Sequence, residues 1–333
     1  MEQTEKDISF MRRVNLVFRF SYTFPFFIAS VCGSLFAFLF YEPPLHIVVL
    51  IPVVVLLLAV FVNFSNDYFD HRSGVDKIRF GEKEEMMKAT DSKLLKKIYW
   101  EGNPFDNGLV TDRQGKIIMA ALLAAAVVLA VPVILYGGWI VALFGVIGIF
   151  LSYYYTAPPL DLGARGLGEA DVAVSFFMLV FCSFFAATIV FDWEALSFTA
   201  VFDTEIFVFA LIVGTLVGLM RLTDSMSGQE AHIANGEKSI SVRLGLDGAV
   251  KAAKVLIVLA YSLAAVMVYL NPAYLLLLLA LPLTLKAWKI MTEKGEQWTL
   301  RVPPFFFGTA FLMEMLFIAA IVIKLVFGIG SLF

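Results

Sequence analysis

The sequence predicts an all-α, polytopic membrane protein, and three observations carry that reading. Of the 333 residues 60% are hydrophobic and only 16% charged; with a mean hydropathy of +0.85, no water-soluble domain of this size carries such a composition without aggregating. The apolar residues fall in runs of about 20, the length a helix needs to cross a bilayer. These runs are apolar on every face, whereas a membrane β-barrel alternates apolar and polar residues in strands of about 10.

Taken in order, the runs read as spans at 22–41, 45–64, 116–136, 138–156, 170–191, 205–222, 250–270, 272–290 and 304–327, nine helices in one membrane domain covering 1–333, with the sixth the short one. The first lacks a small-residue cleavage site and is followed by further spans, so it reads as an anchor and not as a signal peptide. Its aromatic cluster, Phe20, Tyr22, Phe24, Phe26 and Phe27, suits an interfacial belt and equally the wall of a channel for a lipid tail. Cys32 and Cys182 sit within spans without metal-ligand spacing and read as packing groups. The second span opens into a long polar loop, 67–115, whose stretch 84–97 has the pattern of an amphipathic interfacial helix; a lid and a solvated connector both fit it. Connections at the other end, around Gly137, at 192–204 and around Asn271, are short. The sixth span ends in a second polar loop, 223–249. Glu314 falls inside the ninth span, where an ionisable group is a functional candidate by default and a protonated acid bonded to a neighbouring helix is the alternative.

Charge sets the orientation. Lys and Arg number 4 in 1–19, 10 in 67–116, 1 at 165, 5 in 221–254 and 4 in 286–301, against Lys324 alone at the other end. This bias predicts a cytoplasmic N-terminus, an outside C-terminus, and both acidic segments on the cytoplasmic face of the cell membrane. A net charge of −3 is too small to imply a nucleic-acid partner.

The chemistry lies where two spans end in acids. After the second come Asn63, Asn66, Asp67 and Asp70, spaced three and four apart so that they share a helical face, then Asp76. After the sixth come Asp224 and Glu230. Carboxylates crowded at the mouth of a bundle repel one another, and Mg2+ relieves this by bridging protein carboxylates to substrate phosphate oxygens. The competing reading is a solvated helix end, with Asp70 and Asp76 paired to Arg72 and Lys77. Two facing helices that each contribute carboxylates are a recurring way to hold metals, so the two motifs are expected to face one cavity.

These residues resemble the UbiA superfamily of intramembrane aromatic prenyltransferases, and within it the menaquinone branch that prenylates 1,4-dihydroxy-2-naphthoate. Asn66-Asp67-Tyr68-Phe69-Asp70 with Gly74-Val75-Asp76 looks like the first aspartate-rich motif; Tyr155-Thr156-Ala157-Pro158-Pro159 and Arg165-Gly166-Leu167-Gly168-Glu169 resemble the segment joining helices four and five; Gly236-Glu237-Lys238-Ser239-Ile240 and Val242-Arg243-Leu244-Gly245 resemble the tail of the second motif. The resemblance implies a nine-helix bundle with a central cavity open to the cytoplasm and to lipid, with Mg2+ as cofactor. It implies a polyprenyl diphosphate and an aromatic acceptor as partners, among membrane lipids. Carried over by position, Asn66, Asp67, Asp70 and Asp76 are metal and diphosphate ligands, with Asn63 and Arg72 beside them. Arg165 and Lys238 are phosphate contacts, and Tyr154 or Tyr155 offers a ring face to a carbocation.

The second motif departs from the family pattern. Its two aspartates fall on Gly228 and His232, while Glu230 keeps the acid between them. Positions 224, 228 and 232 recur every four residues and so share a face of a continuous helix. One reading rebuilds a ligand set from Asp224, Glu230 and His232; another makes His232 a phosphate donor or a base on the acceptor; a third leaves it a packing residue. Glu169, in the resembling segment, is a further site candidate. Three functions fit: a transferase joining a polyprenyl diphosphate to an aromatic ring, a terpene cyclase on the same scaffold, and a non-catalytic isoprenoid-binding membrane protein.

Overall fold

In the computed structural model, which describes residues 10–39, 42–74 and 103–328, the chain is a helical bundle with its motif-bearing turns gathered at one end. An amphipathic helix α1 (Phe10–Phe18) is followed by Arg19 in the left-handed region, φ 46°, ψ 48°, which turns the chain into α2 (Phe20–Phe36). Helix α3 (Leu45–Ser73) has 29 residues and is therefore about 43 Å long at 1.5 Å per residue. That length exceeds a bilayer core of about 30 Å, so its last turns stand at the mouth of the bundle. Gly74 ends it with φ 77° and an N–H donated to the carbonyls of Asp70 and His71, a left-handed cap.

The chain re-enters through a capping box, Thr111 with Gln114, at the start of α4 (Asp112–Gly137). It returns in α5 (Trp139–Tyr154), loops through 155–167, and continues in α6 (Gly168–Thr188). At the opposite end a small antiparallel hairpin pairs β1 (Val190–Asp192) with β2 (Ser197–Thr199). Then follow α7 (Thr204–Ser227), the short α8 (Gln229–Ala234) and α9 (Ile240–Leu270), which is broken at Gly245. The 3-10 turns Pro272–Ala280 run into α10 (Leu281–Glu293), and α11 (Trp298–Arg301) precedes α12 (Pro303–Phe327).

Among the described residues eight helices are long and apolar enough to cross a membrane, and α5 is a shorter apolar ninth. The chain is thus a multi-pass membrane protein. The short member is the fourth span and not the sixth: α5 has 16 residues, α7 has 24. Hydropathy truncates α7 because its last turns carry Arg221, Asp224 and three serines or threonines that remain helical. Likewise 67–73 and 112–115, expected in the loop 67–115, belong to α3 and α4, and most of 223–249 is helix. Asp76 and the stretch 84–97 lie outside the described residues.

Helix α7 is the axis of the bundle, packed on α6, α9 and α12 and buried from Ile206 to Leu222 on nearly every turn. Gly214 and Gly218 make this possible. A Cβ on Gly214 would lie 2.5 Å from the Ala173 carbonyl oxygen, and one on Gly218 3.0 Å from the Ala173 Cβ, so the two backbones approach as small residues four apart allow. The outward faces of α4, α5 and α9 carry Val128, Leu135, Val146, Phe150 and Val255, all exposed, a continuous apolar surface suited to lipid. Cys32 is buried and Cys182 half-buried, both free thiols used in packing.

At the hairpin end, Lys324 is not a surface charge. It is 2% exposed, and its Nζ donates to Glu205 Oε2 at 2.5 Å and to the Tyr274 hydroxyl at 3.2 Å. This ties α12 and the 3-10 turns to the start of α7. A lysine consumed in a buried pair explains the one exception to the charge bias.

Candidate functional site

The mouth of the bundle encloses a cavity of about 450 Å3. The α3 face with Asn63, Asn66, Asp67 and Asp70 forms one wall; Arg221 and Asp224 from α7 form another. Tyr155, Thr156 and Asp161 close it from the 155–167 loop, Asn235 and Glu237 from the turn after α8, and Arg19 with Tyr22 from the α1–α2 corner. Asn63, Asn66, Asp67 and Asp70 thus share one hollow with Asp224 of the second motif.

The walls are braced by contacts that include their own lining residues. Arg19 pairs with Asp67 Oδ1 at 3.0 Å, and the Asn103 amide donates to the Asp67 carbonyl at 2.7 Å. The Thr156 hydroxyl donates to Asn66 Oδ1 at 2.8 Å, joining the loop to α3. The buried Asn63 amide nitrogen has no hydrogen-bond partner among the described residues and is a donor available to a ligand in the cavity. On the α7 wall the Arg221 Nε donates to the Tyr155 hydroxyl at 2.6 Å, and Nη1 reaches Asp224 Oδ2 at 3.4 Å. Burial pushes the Asp161 carboxyl above the ordinary carboxylate range, opposed by the Ala164 N–H that it accepts.

Other expected site residues lie elsewhere. Arg72 is exposed, bonds the Tyr68 hydroxyl at 3.2 Å and approaches Asp112 at 3.7 Å, so it does not neutralise Asp70. Arg165 is exposed and donates to the Pro159 carbonyl. Lys238 is exposed and contributes its backbone, Lys238 N–H to Ala164 O at 2.8 Å. Gly166 has φ 84°, and a Cβ there would meet the Lys238 carbonyl oxygen at 2.1 Å; both resembling segments clasp each other through their backbones. Tyr154 packs against Phe150 and Tyr153 outside the cavity. Of the two tyrosines, Tyr155 faces the hollow.

The ligand set Asp224, Glu230, His232 is not assembled. Helix α7 stops at Ser227 and Gly228 interrupts the helix, so 224 and 232 do not share a helical face. Glu230 is exposed and absent from the cavity wall. His232 is 2% exposed and off the cavity wall, and its Nδ1 bonds the carboxylate of Glu237, which lines the cavity. Glu169 is a buried brace: its Oε1 accepts from the Ser225 hydroxyl at 3.3 Å and the Ile240 N–H at 3.1 Å. Glu314, 1% exposed, has no hydrogen-bond partner on either carboxyl oxygen among the described residues, and the expected bond to a neighbouring helix is not made. Arg19, Arg221, Asp161 and Asn235 enter the site unannounced; two of them had served only as counted topogenic charges.

Among the described residues five carboxyl groups against two guanidiniums line the cavity, an excess of acidic groups. No three His, Cys, Asp or Glu side chains among those residues form a ready metal cage. Mg2+ does not require one, since it takes one or two carboxylates, water and substrate phosphate oxygens. The oxygen donors of Asn66, Asp67 and Asp70 fit that mode.

The UbiA prenyltransferase family model matches residues 24–311, which span both motifs and every wall of the cavity except the α1–α2 corner. The chain belongs to the UbiA prenyltransferase family. It is 22% identical over 230 residues to the 1,4-dihydroxy-2-naphthoate octaprenyltransferase of Bacillus subtilis, covering 67% of this chain and 63% of that protein; the match thus spans less than two thirds of the relative's length. Among solved structures it resembles a UbiA homologue from Archaeoglobus fulgidus bound to GPP and Mg2+, with TM-score 0.64, 16% identity, and 93% and 99% of the two chains covered. A digeranylgeranylglyceryl phosphate synthase matches with TM-score 0.60, 17% identity, and 94% and 98% coverage. At these identities the likeness is one of fold.

Proposed function

We propose that this UbiA-family protein is a Mg2+-dependent intramembrane prenyltransferase. It moves a polyprenyl group from its diphosphate to an aromatic acceptor of hydroxynaphthoate type, in quinone biosynthesis, from the cytoplasmic face of the cell membrane. The observation that supports this most directly is the α3 face of Asn66, Asp67 and Asp70 opposite Arg221 and Asp224, in a hollow at the end of a lipid-facing bundle. Two relatives add weight: one is a 1,4-dihydroxy-2-naphthoate octaprenyltransferase, the other binds GPP and Mg2+.

Bound Mg2+ would be held by Asn66, Asp67 and Asp70 and would neutralise the diphosphate. The chain's own groups do the rest. Arg19 and Arg221 supply fixed positive charge to the leaving oxygens, and the Asn63 amide donates to the headgroup. The allylic C–O bond breaks with its electron pair leaving on the diphosphate; the ring carbon that bears the carboxylate forms the new C–C bond, and its bond to the carboxylate then breaks, releasing CO2 and returning the electron pair to the ring. The apolar bundle keeps water from the allylic cation, and Tyr155 and Tyr22 line the cavity as aromatic groups able to stabilise a cation.

The test is release of diphosphate by purified protein with Mg2+ and geranylgeranyl diphosphate. The transferase reading expects release only when a hydroxynaphthoate is added. Release without acceptor identifies a cyclase. Donor binding with no release under any acceptor leaves an isoprenoid-binding protein, the reading favoured by the unassembled second motif.

A further inference from the structure

We propose that the donor diphosphate is gripped by one divalent ion on the first motif and by the Arg221 guanidinium on the facing wall, with no ion held at the second motif. This rests on the diphosphate reading above and specifies how this chain meets it.

Neither Gly228 nor His232 offers a carboxylate to the cavity, and Glu237, which does line it, is bonded to the His232 ring. Gly228 has no side chain, and the His232 ring lies beneath it, its Nε2 3.6 Å from where a Gly228 Cβ would stand. The other ring nitrogen is occupied by Glu237, and the Glu237 N–H bonds back to the His232 carbonyl at 2.9 Å. The residues at these positions close a turn. Glu230 is exposed and off the cavity wall, and the α7 carboxylate that does line it, Asp224, is already matched to a guanidinium.

Arg221 has the position and the geometry to act there instead. Its side chain is 15% exposed, lines the cavity opposite the α3 acids, and is oriented by two partners. Tyr155 takes Nε from one side while Asp224 lies along Nη1, so the planar fork is preorganised, and a guanidinium matches phosphate oxygens two at a time. A fixed guanidinium costs no reorganisation when the ligand arrives. The Gly214–Gly218 contact with α6 holds the α7 backbone one turn away, which keeps the fork in register with the opposite wall.

The experiment counts ions and measures donor affinity without turnover. Mn2+ binding is followed by electron paramagnetic resonance, with geranylgeranyl thiolodiphosphate as a non-reacting probe. Wild type is expected to take one Mn2+ per chain with the probe bound. Arg221→Gln is expected to lower probe affinity about 10- to 100-fold while still binding one ion, and Arg221→Lys to recover part of the loss, which separates charge from folding. The double substitution Gly228→Asp with His232→Asp is expected to add a second ion. Two ions on wild type, or wild-type probe affinity in Arg221→Gln, overturns the inference and leaves the transferase reading standing. Failure of wild type to bind the probe with any metal overturns both.

Discussion

The two acidic motifs occupy equivalent places, each at the mouth-side end of a long helix, yet only one presents a continuous row of polar side chains to the cavity. On α3 the helix continues past its apolar run to Gly74, so Asn63, Asn66, Asp67 and Asp70 stay in register on one face and enter the cavity together. On α7 the helix breaks at Gly228; Glu230 and His232 beyond it are carried off the wall, and Asp224 with Arg221 is what α7 turns inward. Spacing is informative only while the helix is continuous. A single residue without a side chain changes the chemistry of a wall.

The sharpest way to break this comparison is to remove the α3 face. Asp70→Ala is expected to abolish Mg2+-dependent diphosphate release, by at least about 100-fold if metal-held charge stabilises the leaving group, whereas Glu230→Ala should leave both release and donor affinity within about twofold, as surface changes do. Equal effects of the two would erase the distinction. Next in size is the closure of the second motif. His232→Ala removes the ring hydrogen bond to Glu237, and loss of a hydrogen bond to a charged group costs about 1.5–3 kcal/mol. Thermal unfolding in detergent checks it, and a melting temperature equal to wild type would show that the turn is not held by this pair. Lys324→Met, at the far end of the bundle, is expected to cost a similar amount of stability through Glu205 and yet leave donor affinity unchanged, a control that separates stability from site chemistry. The smallest effect belongs to Glu314. Replacing its buried carboxyl with the near-isosteric apolar Glu314→Met should be neutral or stabilising by about 1–3 kcal/mol, and a large destabilisation would reveal a partner for it.

Much of the bundle was legible because bilayer thickness and backbone satisfaction leave a membrane chain few choices. The first motif was legible for a related reason: four polar residues at helical spacing beyond an apolar run have one geometry. The reach of α3 and α7 was not, since hydropathy registers where lipid ends and not where hydrogen bonding ends. Arg19 and Arg221 were hidden among topogenic charges, because a guanidinium at a span end looks the same in sequence whether it faces water or a cavity. The segments of Arg165 and Lys238 also meet through Gly166 and a backbone hydrogen bond, which side-chain chemistry does not announce.

By itself the sequence determined a multi-pass helical protein with an acid-rich mouth, because composition and periodicity act locally along each helix. The tertiary structure alone decided which charges share the hollow, that Lys324 is buried against Glu205, and that His232 serves a turn. Those outcomes depend on helix breaks at Arg19 and Gly228 and on the close approach of α6 and α7, and they arise from contacts between residues far apart in the chain.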